Sequence, residues 1–298
     1  MITNKVDFAY AELSDKPWVD ELLACSSFRG CEYCFGNLYI WRIPNELKIA
    51  RINDFITAKS LKRQIYLFPA GSGDLKAVIK ALMRDADECG HPFVLYGICE
   101  EAKVQLNEIM PGRFEFEAYE SGFDYIYESK DLITLSGKKY HSKRNHIARF
   151  KENNNYVYER VSGENLSECV RMNKEWCKQH GCLDDEGLTE EACAVATSLR
   201  YFDELGFQGG LIRVDGRVVA YTIGERLSQD TYCIHIEKAF GDIQGAYAMI
   251  NQCFASDIAE DVKYINREED TGAEGLRKAK RSYYPAIWLT KYFAKLIK

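Results

Sequence analysis

Apolar residues recur along this chain with two different periods, and the points where the period changes mark out its elements. Tyr232, Ile234 and Ile236 alternate with Cys233, His235 and Glu237, which predicts a strand with one buried face. Lys238 to Gly241 breaks that alternation as a loop. Asp242 is then placed as a helix N-cap, because Ile243, Tyr247, Ile250, Phe254 and Ile258 follow at helical spacing. The run GGLIRVDGRVVAYTIG predicts a hairpin turning on Asp215-Gly216. A second hairpin is expected around Pro44-Asn45, between the apolar runs NLYIWRI and ELKIARI. Leu75, Val78, Ile79, Leu82 and Met83 predict a helix that Gly90 stops. PFVLYGI, FEFEAYES and FDYIYES are strand candidates, and AKVQLNEIM predicts a helix closed by Pro111-Gly112. Two more helices are expected over 166–182 and 190–205, and a short one over 273–280 after the strand KYI.

The order of these elements repeats. Gly73-Asp74-Leu75 and Gly241-Asp242-Ile243 lie 168 positions apart (241 − 73), and each is expected to open a helix after a strand. At that offset Tyr96 falls on Tyr264, Glu100-Glu101 on Glu268-Glu269, and Arg113 on Arg281. This predicts a duplicated mixed-sheet α/β unit, with one copy over 1–135 and the other over 136–298. The first copy has Pro69-Ala70-Gly71-Ser72 where the second has Glu237-Lys238-Ala239-Phe240, so chemistry is expected in the second.

Composition narrows the class. The chain has 298 residues, 46% hydrophobic and 28% charged, enough apolar material for two domain cores. A net charge of −6 excludes a large nonspecific nucleic-acid surface while leaving room for a local basic patch. There is no signal-like N-terminus and no apolar run of spanning length, so a cytoplasmic protein is expected, with peripheral membrane contact left open. The 11 cysteines are scattered and odd in number, which suits reduced buried thiols. Cys25, Cys31 and Cys34 could supply three thiolates, but no second ligand pair completes a zinc site, and no metal is expected.

Candidate chemistry gathers in the second copy. His235 and Glu237, two apart on one strand, suit an acid/base pair, with Lys238 available to stabilise an oxyanion. Asn266, Arg267, Glu268, Glu269 and Asp270 end the strand KYI, where loops of α/β proteins converge on a cleft. Glu269 joins the catalytic candidates, and Asn266, Arg267 and Asp270 are candidates to bind an acceptor. Gly241, Gln244, Gly245, Ala246 and Tyr247 form the candidate donor turn, beside the basic Lys278, Lys280 and Arg281. The run 138–151 holds six lysines and arginines that could meet a nucleic acid or simply face water. No nucleophile elbow, HExxH helix or Walker loop occurs, so direct transfer is expected rather than a covalent intermediate.

The stretches LSGKKYHSKRNHIARF, GGLIRVDGRVVAYTIGE, HIEKAFGDIQGAYAMINQ and YINREEDTGAEGLRKAKRSYYP resemble the DUF2156 family. Its relatives include the C-terminal catalytic domain of phosphatidylglycerol lysyltransferases and, more distantly, the Fem peptidyltransferases. The resemblance implies a tandem GNAT fold and acyl or aminoacyl transfer. The donor it implies is aminoacyl-tRNA, and the acceptor a small molecule, peptide or lipid. Asp242 in the donor turn would repel a pyrophosphate, which disfavours the alternative donor acetyl-CoA. A non-catalytic binding module on the same fold is the remaining alternative. No tightly bound cofactor is expected.

Overall fold

The structure, a computed structural model, describes residues 5–182, 184–260 and 262–297. Its strands are β1 (Leu47–Ile52), β2 (Phe55–Ser60), β3 (Ile65–Leu67), β4 (Ala70–Gly71), β5 (Val94–Ile98), β6 (Phe114–Ala118), β7 (Asp124–Glu128), β8 (Tyr156–Arg160), β9 (Gln208–Val214), β10 (Arg217–Arg226), β11 (Thr231–Ala239), β12 (Tyr264–Asn266), β13 (Ile287–Leu289) and β14 (Tyr292–Leu296). The helices are α1 (Lys16–Leu23), α2 (Phe35–Ile40), α3 (Leu75–Glu88), α4 (Glu100–Ile109), α5 (Ser129–Thr134), α6 (His141–Asn153), α7 (Leu166–His180), α8 (Glu186–Arg200), α9 (Ala246–Asp257) and α10 (Glu274–Arg281). They form two compact units. One is Met1–Asp124 with Glu269–Ala273 and Trp288–Lys298; the other is Tyr125–Glu268 with Glu274–Ile287.

In the first unit the sheet runs β1-β2-β3-β5-β14-β6, with β3 and β5 parallel and the other neighbours antiparallel. Helix α3 makes the crossover between the parallel strands. It is capped by Asp74, whose carboxylate accepts from the Ala77 amide at 3.0 Å. Val78, Ile79 and Leu82 bury its apolar stripe with Tyr66, Leu67, Phe68 and Leu95 in the core.

The second sheet runs β13-β7-β12-β11-β10-β9-β8. The β9–β10 hairpin turns on Asp215-Gly216, both in the left-handed region at φ 47° and 82°, the geometry a two-residue type I′ turn requires. Strands β11 and β12 are parallel but pair only over Thr231–Cys233 and Tyr264–Asn266. Beyond Cys233, β11 continues to Ala239 while β12 has already ended.

The duplication survives with an exchange. A meander (β1-β2-β3 or β9-β10-β11), a crossover helix (α3 or α9) and a parallel strand (β5 or β12) recur in the same order in both sheets. The next position is taken by β14 in the first sheet and by β7 in the second. These two strands lie 168 residues apart (292 − 124), so each half lends its closing strand to the other sheet. The units accordingly divide at Asp124/Tyr125 and draw on the C-terminal segment, where the sequence placed one boundary at 135/136.

Three other expectations need correction. The hairpin placed around Pro44-Asn45 is the helix α2, then turns, then β1; the hairpin is β1–β2, turning at Asn53-Asp54. All six α2 residues are buried, and a helix buried all round has no amphipathic period to read. Asp242 does not cap α9. It sits in an exposed turn, and the helix starts at Ala246 with Gly245, at φ 87°, as its N-cap. Finally, β11 is covered on both faces, so Cys233 is buried as fully as Tyr232.

Candidate active site

The early end of β12 decides where polar groups meet in the second unit. The last residues of β11 face chain that has left the sheet, and charged side chains fill the divergence. Glu237 accepts from Nη2 of Arg267 at 2.6 Å through Oε1, and from Nδ2 of Asn251 at 3.0 Å through Oε2. Arg267 directly follows β12, and Asn251 projects from α9, where it is 1% exposed. Nη1 of Arg267 and Oδ1 of Asn251 are buried without a partner among the described residues. Glu237 thus uses one arm of each neighbour, leaving one buried donor and one buried acceptor unspent. Such groups are rare in folded proteins because each forgoes the hydrogen bonds water would have given it.

Around this triad sit aromatic walls and two further cations. The Arg267 guanidinium lies 4.9 Å from the Tyr283 ring centroid and 5.7 Å from that of Tyr127. Lys280 donates to the Arg267 carbonyl at 2.6 Å, and the Tyr127 hydroxyl donates to the Lys280 carbonyl at 2.8 Å, which fixes the C-terminal end of α10. Lys143 of α6 places Nζ 3.9 Å from the Tyr283 centroid, with no carboxylate at ion-pair distance among the described residues. Burial, reinforced by the Arg267 charge and opposed by Glu237, pushes the Lys143 ammonium down to about 8. Gly245 brings α6 close, since a Cβ there would lie 2.3 Å from the His146 carbonyl oxygen.

His235 lies apart from this triad in its contacts. Its side chain is 1% exposed, with Nδ1 2.7 Å from Glu268 and Nε2 3.0 Å from Glu225. Both ring nitrogens are engaged, so His235 and Glu237 do not form the expected acid/base couple, and each is tied to its own partners. With each ring nitrogen committed to a carboxylate, the imidazole has no free nitrogen to take an acceptor's proton, which removes His235 as general base. Lys238 projects to α7 and α8, against the Trp176 ring at 3.7 Å and Glu191 at 2.7 Å, while Glu237 meets α9. It therefore does not converge with Glu237 on one oxyanion position.

The remaining candidates divide. Asn266 is buried in β12, its Oδ1 accepting from the Glu268 amide at 2.7 Å. Glu269 and Asp270 fall in the first unit. There Glu269 accepts from the Cys31 thiol at 3.4 Å, and Asp270 closes a turn onto the Gly272 amide at 2.8 Å. Gly241, Gln244 and Tyr247 are exposed, Ala246 is buried, and Lys278 lies on the exposed side of α10. Two amides of the donor turn are already used: Ile243 donates to the Phe240 carbonyl and Ala246 to that of Ile243.

Sequence reasoning missed Asn251 and read Lys143 only as part of a basic run. Asn251 had a legible signal: it is a polar residue beside Ile250 in the apolar stripe of α9. In the first unit it missed a buried clasp altogether. There Nζ of Lys291, 1% exposed, lies 2.7 Å from both Asp124 and Glu32 and 3.5 Å from the Cys31 sulfur. Burial first, then the Asp124 charge, holds the Cys31 thiol well above its ordinary range. Cys31, Asp124 and Glu269 could crowd a cation, but the Lys291 ammonium already supplies the positive charge. The surface hollow of about 200 Å³ beside α7 is lined by ion-paired groups, Arg217 with Glu175 and Arg171 with Glu168, and holds no catalytic group.

Comparison with known proteins accords with this architecture. A solved protein of unknown function from Bacteroides thetaiotaomicron is 41% identical, with a TM-score of 0.93 over 98% of this chain and 100% of that one. The C-terminal DUF2156 domain of a protein assigned as a lysylphosphatidylglycerol synthetase, from Agrobacterium fabrum, superposes with a TM-score of 0.70 at 12% identity, covering 96% of this chain and 92% of that one. FemX shares the fold at a TM-score of 0.57 and 10% identity, over 98% and 97% of the two chains. An uncharacterised protein of Mycoplasmoides gallisepticum is 24% identical over 193 residues, 60% of this chain and 58% of that protein. This chain therefore spans just over half the length of that curated relative. The fold is the tandem GNAT fold of the Fem-like proteins. Residues 24–295, nearly the whole chain, match the phosphatidylglycerol lysyltransferase C-terminal family, and the protein belongs to that family.

Proposed function

We propose that the second unit is an acyltransferase that moves an aminoacyl group from aminoacyl-tRNA to an amine or hydroxyl acceptor by direct attack. One observation carries the reading: an unspent buried donor, Arg267 Nη1, and an unspent buried acceptor, Asn251 Oδ1, flank the same carboxylate. An aminoacyl ester offers the complementary pair, a carbonyl oxygen for the guanidinium and an ammonium for the amide oxygen. As the acceptor attacks the ester carbon, the guanidinium is placed to hold the oxyanion. The neutral form of Lys143 takes the acceptor's proton and returns it to the ribose oxygen as the ester C–O bond breaks. Glu237 holds Arg267 and Asn251 in register, so it acts as a positioning residue.

Family membership and the lysylphosphatidylglycerol synthetase relative support aminoacyl over acetyl transfer. The two donor-turn amides spent on neighbouring carbonyls also leave less of a cradle for a pyrophosphate. The test follows radiolabelled amino acid from charged tRNA into phosphatidylglycerol vesicles or soluble amines. Arg267→Lys and Asn251→Leu should each slow transfer about a hundredfold, the cost of one oxyanion or orienting contact. Saturable thermal stabilisation by acetyl-CoA, with no movement of label from tRNA, would overturn the reading in favour of acetyl transfer. Stabilisation by neither donor would favour a binding module.

A further inference from the structure

A line of cations and aromatic rings leads from the Arg267 site to the surface of the second unit. Tyr283 has Arg267 4.9 Å and Lys143 3.9 Å from its ring centroid. The next residue, Tyr284, is 48% exposed, sits edge-on to the buried Tyr140 ring at 5.6 Å, and has Lys139 5.5 Å from its centroid. The Tyr140 hydroxyl donates to the Tyr283 carbonyl at 2.9 Å, which fastens this segment to the start of α6. Tyr284 holds a φ of 54° immediately before Pro285, a left-handed conformation that a tyrosine at a helix end adopts at a cost. The backbone there is held so that a large ring stands out beside a lysine.

Resting on the aminoacyl-transfer reading, we infer that this face, Lys139, Tyr284 and Lys143, docks the single-stranded end of an RNA, with an unpaired base stacked on Tyr284. The chemistry matches a nucleic-acid strand on two counts. The run 138–151 contains no acidic residue in a chain whose net charge is −6; Lys139 pairs with Asp131 from the preceding helix at 3.3 Å, and the other cations of the run leave this face locally basic enough to meet phosphates. An exposed ring framed by a cation is the element that stacks a base without reading its identity. Anchoring in a membrane as an amphipathic helix would instead require an apolar stripe to insert. The large apolar residues of α6, Ile147 and Phe150, are both buried, and the one exposed apolar position, Ala148, is too small to make a lipid-facing stripe.

The test uses the full chain, a fluorescein-labelled uncharged tRNA and a short single-stranded RNA of about eight nucleotides, read by anisotropy at about 50 and 200 mM salt. Binding should weaken steeply with salt. Tyr284→Ala should cost five- to tenfold, Tyr284→Phe less than twofold, and Lys139→Glu at least tenfold. Lys80→Glu, a charge-matched change on α3, should leave binding within twofold. Equal loss for Lys139→Glu and Lys80→Glu, no difference between Tyr284→Ala and Tyr284→Phe, or co-sedimentation with phosphatidylglycerol vesicles in place of RNA binding would each overturn the inference. Because the RNA is uncharged, failure here is separable from failure of transfer: a chain that transfers aminoacyl groups while ignoring the Tyr284 variants loses only the docking surface.

Discussion

Lys143 shows how one side chain ties environment to chemistry. Its folded-state pKa, about 8, lies below the unfolded value for a lysine. Folding therefore favours the neutral amine, and the half-buried charge costs stability below about pH 8, a cost that fades as pH rises toward the unfolded value. If the neutral amine relays the acceptor's proton, transfer corrected for spontaneous ester hydrolysis should rise with pH through about 8 and then level. Lys143→Arg keeps the charge but not the titration, so the inflection should vanish along with most of the rate. A rate–pH series on both proteins checks this. Lys291 titrates in the opposite sense: burial pulls its ammonium down, but the Asp124 and Glu32 carboxylates outweigh that pull and hold it well above the ordinary range. Its stabilising contribution is fully present below the unfolded lysine pKa and is lost only as pH passes the raised value. Lys291→Met leaves Asp124 and Glu32 buried without their cation and should destabilise the first unit by about 3–5 kcal/mol. Urea denaturation would show it as a lower midpoint.

At the scale of elements, two helix starts that look alike in sequence are built differently. Asp74 caps α3 through its carboxylate, so Asp74→Ala should cost about 1 kcal/mol and leave the fold intact. Asp242 makes no such bond, and Asp242→Ala should be close to neutral for stability. The start of α9 depends on Gly245 instead. A Cβ there would press on the His146 carbonyl at 2.3 Å and on Phe150 at 3.1 Å, in a conformation L-residues avoid. Gly245→Ala should therefore destabilise by more than about 1–2 kcal/mol and, by displacing α6, reduce transfer as well. Thermal melts of the three variants side by side rank them. Equal effects at Asp74 and Asp242 would refute this account of the two caps.

For the whole chain, the exchanged strands matter most. β14 lies between β5 and β6 in the first sheet, and its loss would leave both with unpaired backbone groups in mid-sheet. Truncation after Leu289, which keeps β13 and removes β14, should therefore unfold or loosen the first unit. Hydrogen exchange would detect this as lost protection across Val94–Ile98 and Phe114–Ala118. Undiminished protection there would mean that β14 is dispensable to the first sheet.

Period, turn chemistry and offset are local properties, and they determined much of this protein. The Asp215-Gly216 hairpin, helices α3, α4, α7 and α8, and the duplicated element order at 168 residues are all legible in the sequence, because each depends on neighbours in the chain. So is the cluster that ends β12, from which Arg267 was drawn. The tertiary structure alone decided what long-range pairing controls. Residues 124–128 read as an ordinary strand, 292–296 fall in a C-terminal stretch to which the sequence assigned no element, and nothing local states that they close each other's sheets. His235 and Glu237 stand two apart on one strand, yet burial commits the first to Glu225 and Glu268 and the second to Arg267 and Asn251. Local spacing placed the charges; the distant partners, brought in because a buried charge must be compensated, determined which of them remained available for chemistry.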